Sequence, residues 1–249
     1  MQSLRIFLAI CALLPLAAWD DHISLLMSQQ NDTSVSLGRF GGGSYCFYMM
    51  MMVEPRSIER SAPLRDGLKE QGLPYTIIPG RRSTGHWPVQ CLKQPSGYIG
   101  NWRSHVAAWR RGYEKCSAEW IIVLENDVVP PQGLARHLGR NFATKNKHND
   151  IVWMDGRHGD LGVTKQGPTG WGIGAVALRR TALPKLLPHF MDAPHAMWRT
   201  YNNVKKDVVD NPDCLTDWYL GNVVAHIRMK AAVYPLFDHP VTAPSEISG

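Results

Sequence analysis

Glu125 and Asp127 stand one residue apart in the segment Val123-Leu124-Glu125-Asn126-Asp127-Val128, directly behind the apolar run Trp120–Leu124. Side chains alternate faces along a strand. The two acids therefore point the same way if extended geometry persists through them. Ligands of open α/β sheets bind beyond the carboxyl ends of the strands. Two carboxylates there can hold a hard divalent cation, with water and phosphate oxygens completing its shell. Such a cation neutralises a diphosphate leaving group. The plainer reading is acids that end a strand in solvent. The hydrophobic run in front and Pro130-Pro131 behind weigh against it.

Those acids need a sheet to hold them. Residues 45–53 (YCFYMMMMV) form a continuous apolar run, short enough for a strand buried on both faces. Ser57 is expected to cap a helix through Gln71, with Leu64 and Leu68 on one side. Gly72 closes that helix, and Tyr75–Ile78 reads as a second strand. This β-α-β order implies a doubly wound, mostly parallel sheet. Residues 80–97 read as loop, and the spacing predicts a helix over Tyr98–Tyr113 that aligns Trp102, Val106 and Trp109. Trp120–Leu124, Ile151–Met154, Ile173–Leu178 and Ala231–Leu236 are predicted strands. Helices are predicted from Pro130-Pro131 to Phe142, over Thr181–Leu187 and over Leu215–Ala225. No internal repeat and no second linker interrupts the chain, so residues 45–249 read as a single α/β domain.

Composition narrows the function. The chain has 249 residues, 44% hydrophobic and 19% charged, which excludes a disordered, collagenous, coiled-coil or multi-span membrane protein. The formal charge of +6 suits an anionic small molecule or a polyanionic surface. No run of Lys/Arg exceeds two and no zinc-finger or RNA-binding motif occurs, which argues against nucleic acid. Behind Arg5, Ile6–Ala18 is an apolar block shorter than the about 20 residues a bilayer span requires. It fits a signal peptide over residues 1–18, with a short signal anchor as the alternative. A buried N-terminal helix is the plain reading, opposed by Asp20 and Asp21. Residues 19–44 read as a polar linker or stem ending in a glycine run. Asn31-Asp32-Thr33 is a glycosylation acceptor. Of five Cys, Cys11 lies in the leader. Cys46, Cys91, Cys116 and Cys214 can pair in three ways, and four free thiols are the other reading. These features together point to the secretory pathway, luminal or secreted, with membrane contact only through an N-terminal anchor.

Gly97-Tyr98-Ile99-Gly100-Asn101-Trp102-Arg103-Ser104-His105-Val106-Ala107-Ala108-Trp109 resembles the G-x-I-G-C-x-x-S-H-x-x-x-W signature of glycosyltransferase family 25. That family includes lipooligosaccharide and procollagen galactosyltransferases. The acidic segment resembles its L-E-D-D-V block, and Val53–Arg60 (VEPRSIER) is similar to its N-L-D-R-x-x-x-R turn. Trp171–Leu187 resembles its aliphatic strand and following helix, and Asp217-Trp218 its late Asp-Trp pair. Pro235 and Ser245-Glu246-Ile247 resemble its closing segment, so the match runs in order over residues 45–248. The resemblance implies a GT-A-like fold, a UDP-sugar donor (galactose), Mn²⁺ dependence, inversion at the anomeric carbon and a glycan or glycoprotein acceptor. Two positions depart: Asn101 stands where the family has Cys, and Asn126 where it has the middle acid. Those departures keep a catalytically inactive nucleotide- or glycan-binding module as the alternative.

Roles follow from these two lines. Asp127 is expected to coordinate the metal directly, Glu125 to bind the metal or the donor ribose, and His239 to complete the metal shell. Arg56 and Arg60 follow the first strand and can fork onto phosphate, with a solvated helix start as the plain reading. Ser104 and His105 are donor contacts or structural hydrogen-bonding groups. Adjacent helix positions do not face each other, so the two do not form a nucleophile and base. An inverting transfer needs a base near the acceptor hydroxyl, and the Asp-Trp resemblance implies Asp217, with Asp155, Asp160 and Asp213 as other carboxylates. A metal-dependent phosphohydrolase would want more acids at the strand ends than the chain has there.

Overall fold

Strand β2 (Gly43–Met52) carries the apolar run that opens the domain, and Tyr45 to Met51 are all buried along it. Its side chains divide by parity. Cys46, Tyr48 and Met50 enter one core cluster, and Tyr45, Phe47, Met49 and Met51 the other. A strand buried on both faces needs layers on both sides. The computed structural model describes residues 38–40, 43–80, 95–156, 163–164, 167–168, 173–190 and 215–240, and they show both layers. Residues 1–37, with the leader and Asn31, lie outside the described residues, as do Cys91, Asp160, Trp171, Asp213, Cys214 and Ser245–Ile247.

The chain then runs through α1 (Pro55–Arg60), α2 (Ala62–Glu70), β3 (Tyr75–Gly80), α3 (Pro95–Lys115) and β4 (Trp120–Glu125). After β4 comes α4 (Leu134–His137), which continues as a π turn, Leu138–Phe142, and a closing turn, Ala143–Lys145. Strand β5 (Ile151–Asp155) is followed by the small hairpin β6 (Val163–Thr164) and β7 (Gly167–Pro168). Then come β8 (Ala175–Arg179), α5 (Leu183–Leu186) between 3₁₀ turns, α6 (Leu215–His226) and β9 (Ala231–Phe237).

The main sheet has the order β1-β2-β4-β8-β5-β9, where β1 is Gly38–Phe40 and β3 also pairs with β2. Strands β2, β3, β4, β5 and β9 run one way, and β1 and β8 run against them. The sheet is therefore mixed and mostly parallel, with helices on both faces, which is the α/β architecture expected. The described elements belong to one compact unit, Val35–Gly249. Trp102 and Trp109 of α3, Leu183 and Leu186 of α5, and Leu220, Val223 and Val224 of α6 cover one face. Leu64 and Leu68 of α2, Leu134 of α4 and Leu138 and Phe142 of its continuation cover the other.

Three local expectations are corrected. Gly38–Phe40, read as linker, forms β1 and pairs antiparallel with the start of β2, Gly38 opposite Tyr45. Strand pairing is a backbone interaction, and a short edge strand with exposed Arg39 needs no apolar pattern. Ser57 does not cap a helix: α1 begins at Pro55, whose missing N–H and fixed φ suit the first turn. The single helix expected over residues 57–71 is two, because Ser61 closes α1 and opens α2.

Helix α3 does most to frame the site. The disulfide Cys46–Cys116 ties its C-terminal end to the start of β2. Gly112 lets it lie close on the sheet, since a Cβ there would sit 2.7 Å from Ile121 Cγ2. Cys46 is level with Ile121 in the sheet. From Cys116 back to His105 the helix rises roughly 16 Å at 1.5 Å per residue. From Ile121 to Glu125 the strand advances roughly 13 Å. The first turns of α3 are thus carried to the carboxyl end of β4.

Candidate metal and nucleotide site

Two strand ends supply the three side chains of the site. Glu125 is the last residue of β4, pairs with Met50 of β2, and its N–H donates to Gly174 O at 2.7 Å. By alternation from Ile121 and Val123 it faces the α3 layer. Asp127 follows in the turn. His239 lies beyond β9, at the far side of the sheet from β2. A two-bond bridge joins these ends: Val129 N donates to Asp238 O at 2.8 Å, and Asp238 N to Val129 O at 3.0 Å. The segment leaving β4 thereby meets the segment leaving β9, and His239 comes to rest against Asp127.

One ligand atom each from Glu125, Asp127 and His239 lies within 4.8 Å of the others. His239 Nε2 is 3.3 Å from Asp127 Oδ2. Arg60, from the last turn of α1, donates from Nη2 to the same oxygen at 2.5 Å. Both side chains of that pair are only 13% exposed, so water screens the pair incompletely. Two carboxylates this close repel one another, and a cation between them relieves that repulsion.

Glu125 is also held from the α3 side. Asn101 Nδ2 donates to Glu125 Oε1 at 2.8 Å, and His105 Nε2 lies 3.3 Å from the same atom. His105 is fully buried with its ring against Trp109. Ser104 is buried too, and its hydroxyl donates to Gly100 O at 2.8 Å within its own helix. Ser104 therefore bonds back into α3, while His105 joins the site through Glu125.

Asn126 points away from this group. Its Nδ2 donates to Ser57 Oγ at 2.7 Å, and Ser57 Oγ also accepts Met52 N–H at 3.1 Å. Asn126 and Ser57 are both buried. They lock the turn after β4 to the turn after β2.

Of the residues singled out from the sequence, Glu125, Asp127, His239, Arg60 and His105 come together here. Arg56, one turn before Arg60 on α1, is exposed. Asp155 ends β5 fully buried. Asp217 lies on α6, and its side chain is outside the described ones. Ser57, Asn101 and Asn126 gain roles that the spacing did not suggest. The signal lay in the two motif departures: both are Asn, whose amide donates two hydrogen bonds.

No protein-family model matches the chain, and no curated protein does. Among solved structures, the chain is similar to a glycosyltransferase involved in the glycosylation of the major capsid of PBCV-1, at 11% identity and TM-score 0.45, covering 80% of this chain and 94% of that one. Mouse xyloside xylosyltransferase 1 aligns at 12% identity and TM-score 0.40, covering 77% of this chain and 84% of the other. The galactosyltransferase LgtC, solved with donor and acceptor sugar analogues, aligns at 11% identity and TM-score 0.38, covering 75% and 72%.

Proposed function

We propose that the chain is a metal-dependent, inverting glycosyltransferase with a GT-A-like fold. In this reading it moves a sugar, galactose by the family resemblance, from a UDP-sugar to a hydroxyl of a glycan or protein-linked acceptor. The observation that carries it is the convergence of Glu125, Asp127 and His239 at the carboxyl edge of the sheet, with Arg60 on the same carboxylate.

The donor set fits the metal. Two carboxylates and one imidazole suit Mn²⁺, which accepts oxygen and nitrogen ligands. Their ligand atoms, within 4.8 Å, need only a small closing movement to share one ion. When bound, such an ion neutralises charge that develops on a diphosphate leaving group. The chain's own residues do the rest. Arg60 already sits beside Asp127 and reaches a diphosphate by exchanging that carboxylate for phosphate oxygens. Asp217 serves as the base that takes the proton of the acceptor hydroxyl. Trp218 stacks on a sugar ring. The Cys46–Cys116 disulfide supports an oxidising compartment and thus a secretory location for the enzyme.

The test is a screen of UDP-sugars for Mn²⁺-dependent donor hydrolysis by the full chain, paired with calorimetry of UDP with and without Mn²⁺. Turnover of one UDP-sugar that EDTA abolishes is expected. UDP binding without turnover of any donor would replace the enzyme with a binding module. No metal-dependent nucleotide binding would overturn the reading altogether.

A further inference from the structure

We infer that Asn101 and His105 are positioning residues that fix Glu125 as a single-oxygen metal ligand; this rests on the metal site proposed above. Both project from the same side of α3, four residues apart, where side chains of a helix are neighbours. Both converge on one atom, Glu125 Oε1, at 2.8 and 3.3 Å. A carboxylate offers four acceptor directions on two oxygens. Among the described residues, none bonds Oε2. The helix therefore occupies one oxygen and leaves the other for the ion.

Burial shows that the pair is arranged around Glu125 rather than around the fold. A buried polar group costs stability unless it is bonded. His105 is fully buried, and the contact with Glu125 is its only hydrogen bond among the described residues, because Nδ1 is buried without a partner. Asn101 is alike: its Nδ2 donates to Glu125, and its Oδ1 is buried without a partner. To donate to the Glu125 carboxylate, Nε2 of His105 must carry a proton, which in the neutral ring selects the Nε2–H tautomer. Asn101 is likewise fixed in orientation, since its oxygen would repel the carboxylate.

The position of Asn101 sharpens the point. The resembling family carries Cys there, and a thiol is a weak donor. An amide donating to a carboxylate makes a shorter, stronger, charge-assisted bond. In this chain the first turns of α3 grip the acid more tightly than a thiol can. Groups that orient a metal ligand typically change metal affinity by about 10–100-fold when removed.

The experiment measures Mn²⁺ affinity of the full chain, without nucleotide, by the paramagnetic resonance of free Mn²⁺, alongside thermal melting. Asn101→Ala and His105→Ala are each expected to weaken Mn²⁺ binding by roughly tenfold or more. His105→Gln, whose amide nitrogen can replace Nε2, is expected to stay within about threefold of wild type by the same scale. Wild-type Mn²⁺ affinity in both Ala variants, or equal losses in His105→Gln and His105→Ala, overturns the inference. Failure of the wild type itself to bind Mn²⁺ overturns the proposed function and this inference together, so the two failures are told apart. If His105→Ala does not fold, Asn101→Ala at a half-buried helical position decides alone.

Discussion

The Asn126 amide donates to the Ser57 hydroxyl at 2.7 Å, joining the turn after β4 to the first helix after β2. The middle position of the acidic segment thus points into a seam between strand ends, while its two neighbours meet His239. An Asn there takes no side chain from the cluster of Glu125, Asp127 and His239. Ser57 accepts from both Asn126 and the Met52 N–H, so Ser57→Ala removes one acceptor from each of two donors. That costs about 2 kcal/mol and lowers the melting temperature by about 4–8 °C in a domain of this size. Asn126→Asp is expected to keep Mn²⁺ affinity, because the Ser57 hydroxyl can turn and donate to a carboxylate. Melting curves and Mn²⁺ titrations of the two variants check both statements.

Asp127 is where the Arg60 guanidinium and the His239 imidazole meet. Asp127→Asn keeps the shape and removes the charge. It is expected to abolish Mn²⁺-dependent turnover of a UDP-sugar while the circular dichroism spectrum stays that of wild type. Turnover near wild type in this variant would remove Asp127 from the metal site.

Arg60 separates two contributions. Its cationic head lies on Asp127, where it opposes entry of a second cation, while phosphate would draw it off. Arg60→Gln is therefore expected to bind Mn²⁺ alone as tightly as wild type or more tightly. The same variant should bind UDP in the presence of Mn²⁺ about tenfold or more weakly, the worth of a lost charge-assisted bond. Calorimetry of the two titrations reads both signs. A parallel loss in both would mean that Arg60 supports the fold instead.

The sequence made some of this visible and hid the rest for physical reasons. Runs such as Trp120–Leu124 and Tyr45–Met51 announce buried strands because both faces are apolar, and the two acids follow directly. Direction is a different matter. Nothing in Ala175–Arg179 encodes that β8 runs against β4 and β5, since an apolar run reads the same either way. Residue types nominated His239 as a ligand, but the bridge from Val129 to Asp238 that delivers it is a backbone pairing across a long stretch of chain. Ser57 looked like a helix cap because capping depends on residue type. Its actual partners, Met52 and Asn126, depend on how two strand ends meet.

The disulfide gives a stability prediction independent of the site. Cys46 and Cys116 are 70 residues apart, and in the chain-entropy account a closed loop of that size is worth about 4 kcal/mol. Reduction should lower the melting temperature by about 10 °C. A Cys46→Ser, Cys116→Ser double variant should melt near the reduced wild type and ignore reductant. If the wild type ignores reductant as well, the bridge is absent in solution.

Two tyrosines on β2, three residues apart, should behave oppositely. The Tyr45 hydroxyl donates to Leu138 O at 3.0 Å, whereas the buried Tyr48 hydroxyl has no hydrogen-bond partner among the described residues. Removing a bonded hydroxyl costs about 1 kcal/mol, and removing an unsatisfied buried one is neutral or stabilising. At neutral pH, Tyr45→Phe should therefore lower the melting temperature and Tyr48→Phe should hold or raise it. Alkaline pH adds a second contrast. Burial pushes the Tyr48 phenol up to about 12, against the opposing pull of Arg111. An unfolded tyrosine titrates near 10. Between those values the unfolded chain releases a proton that the folded chain keeps, so stability falls as pH rises through that window. Below pH 10 both states hold the proton and the contribution is intact. The slope of melting temperature against pH above 10 should be shallower in Tyr48→Phe than in wild type. Phenolate absorbance of the folded wild type should also lag behind that of the unfolded chain. Equal slopes in the two proteins would mean that the Tyr48 phenol titrates as it does in water.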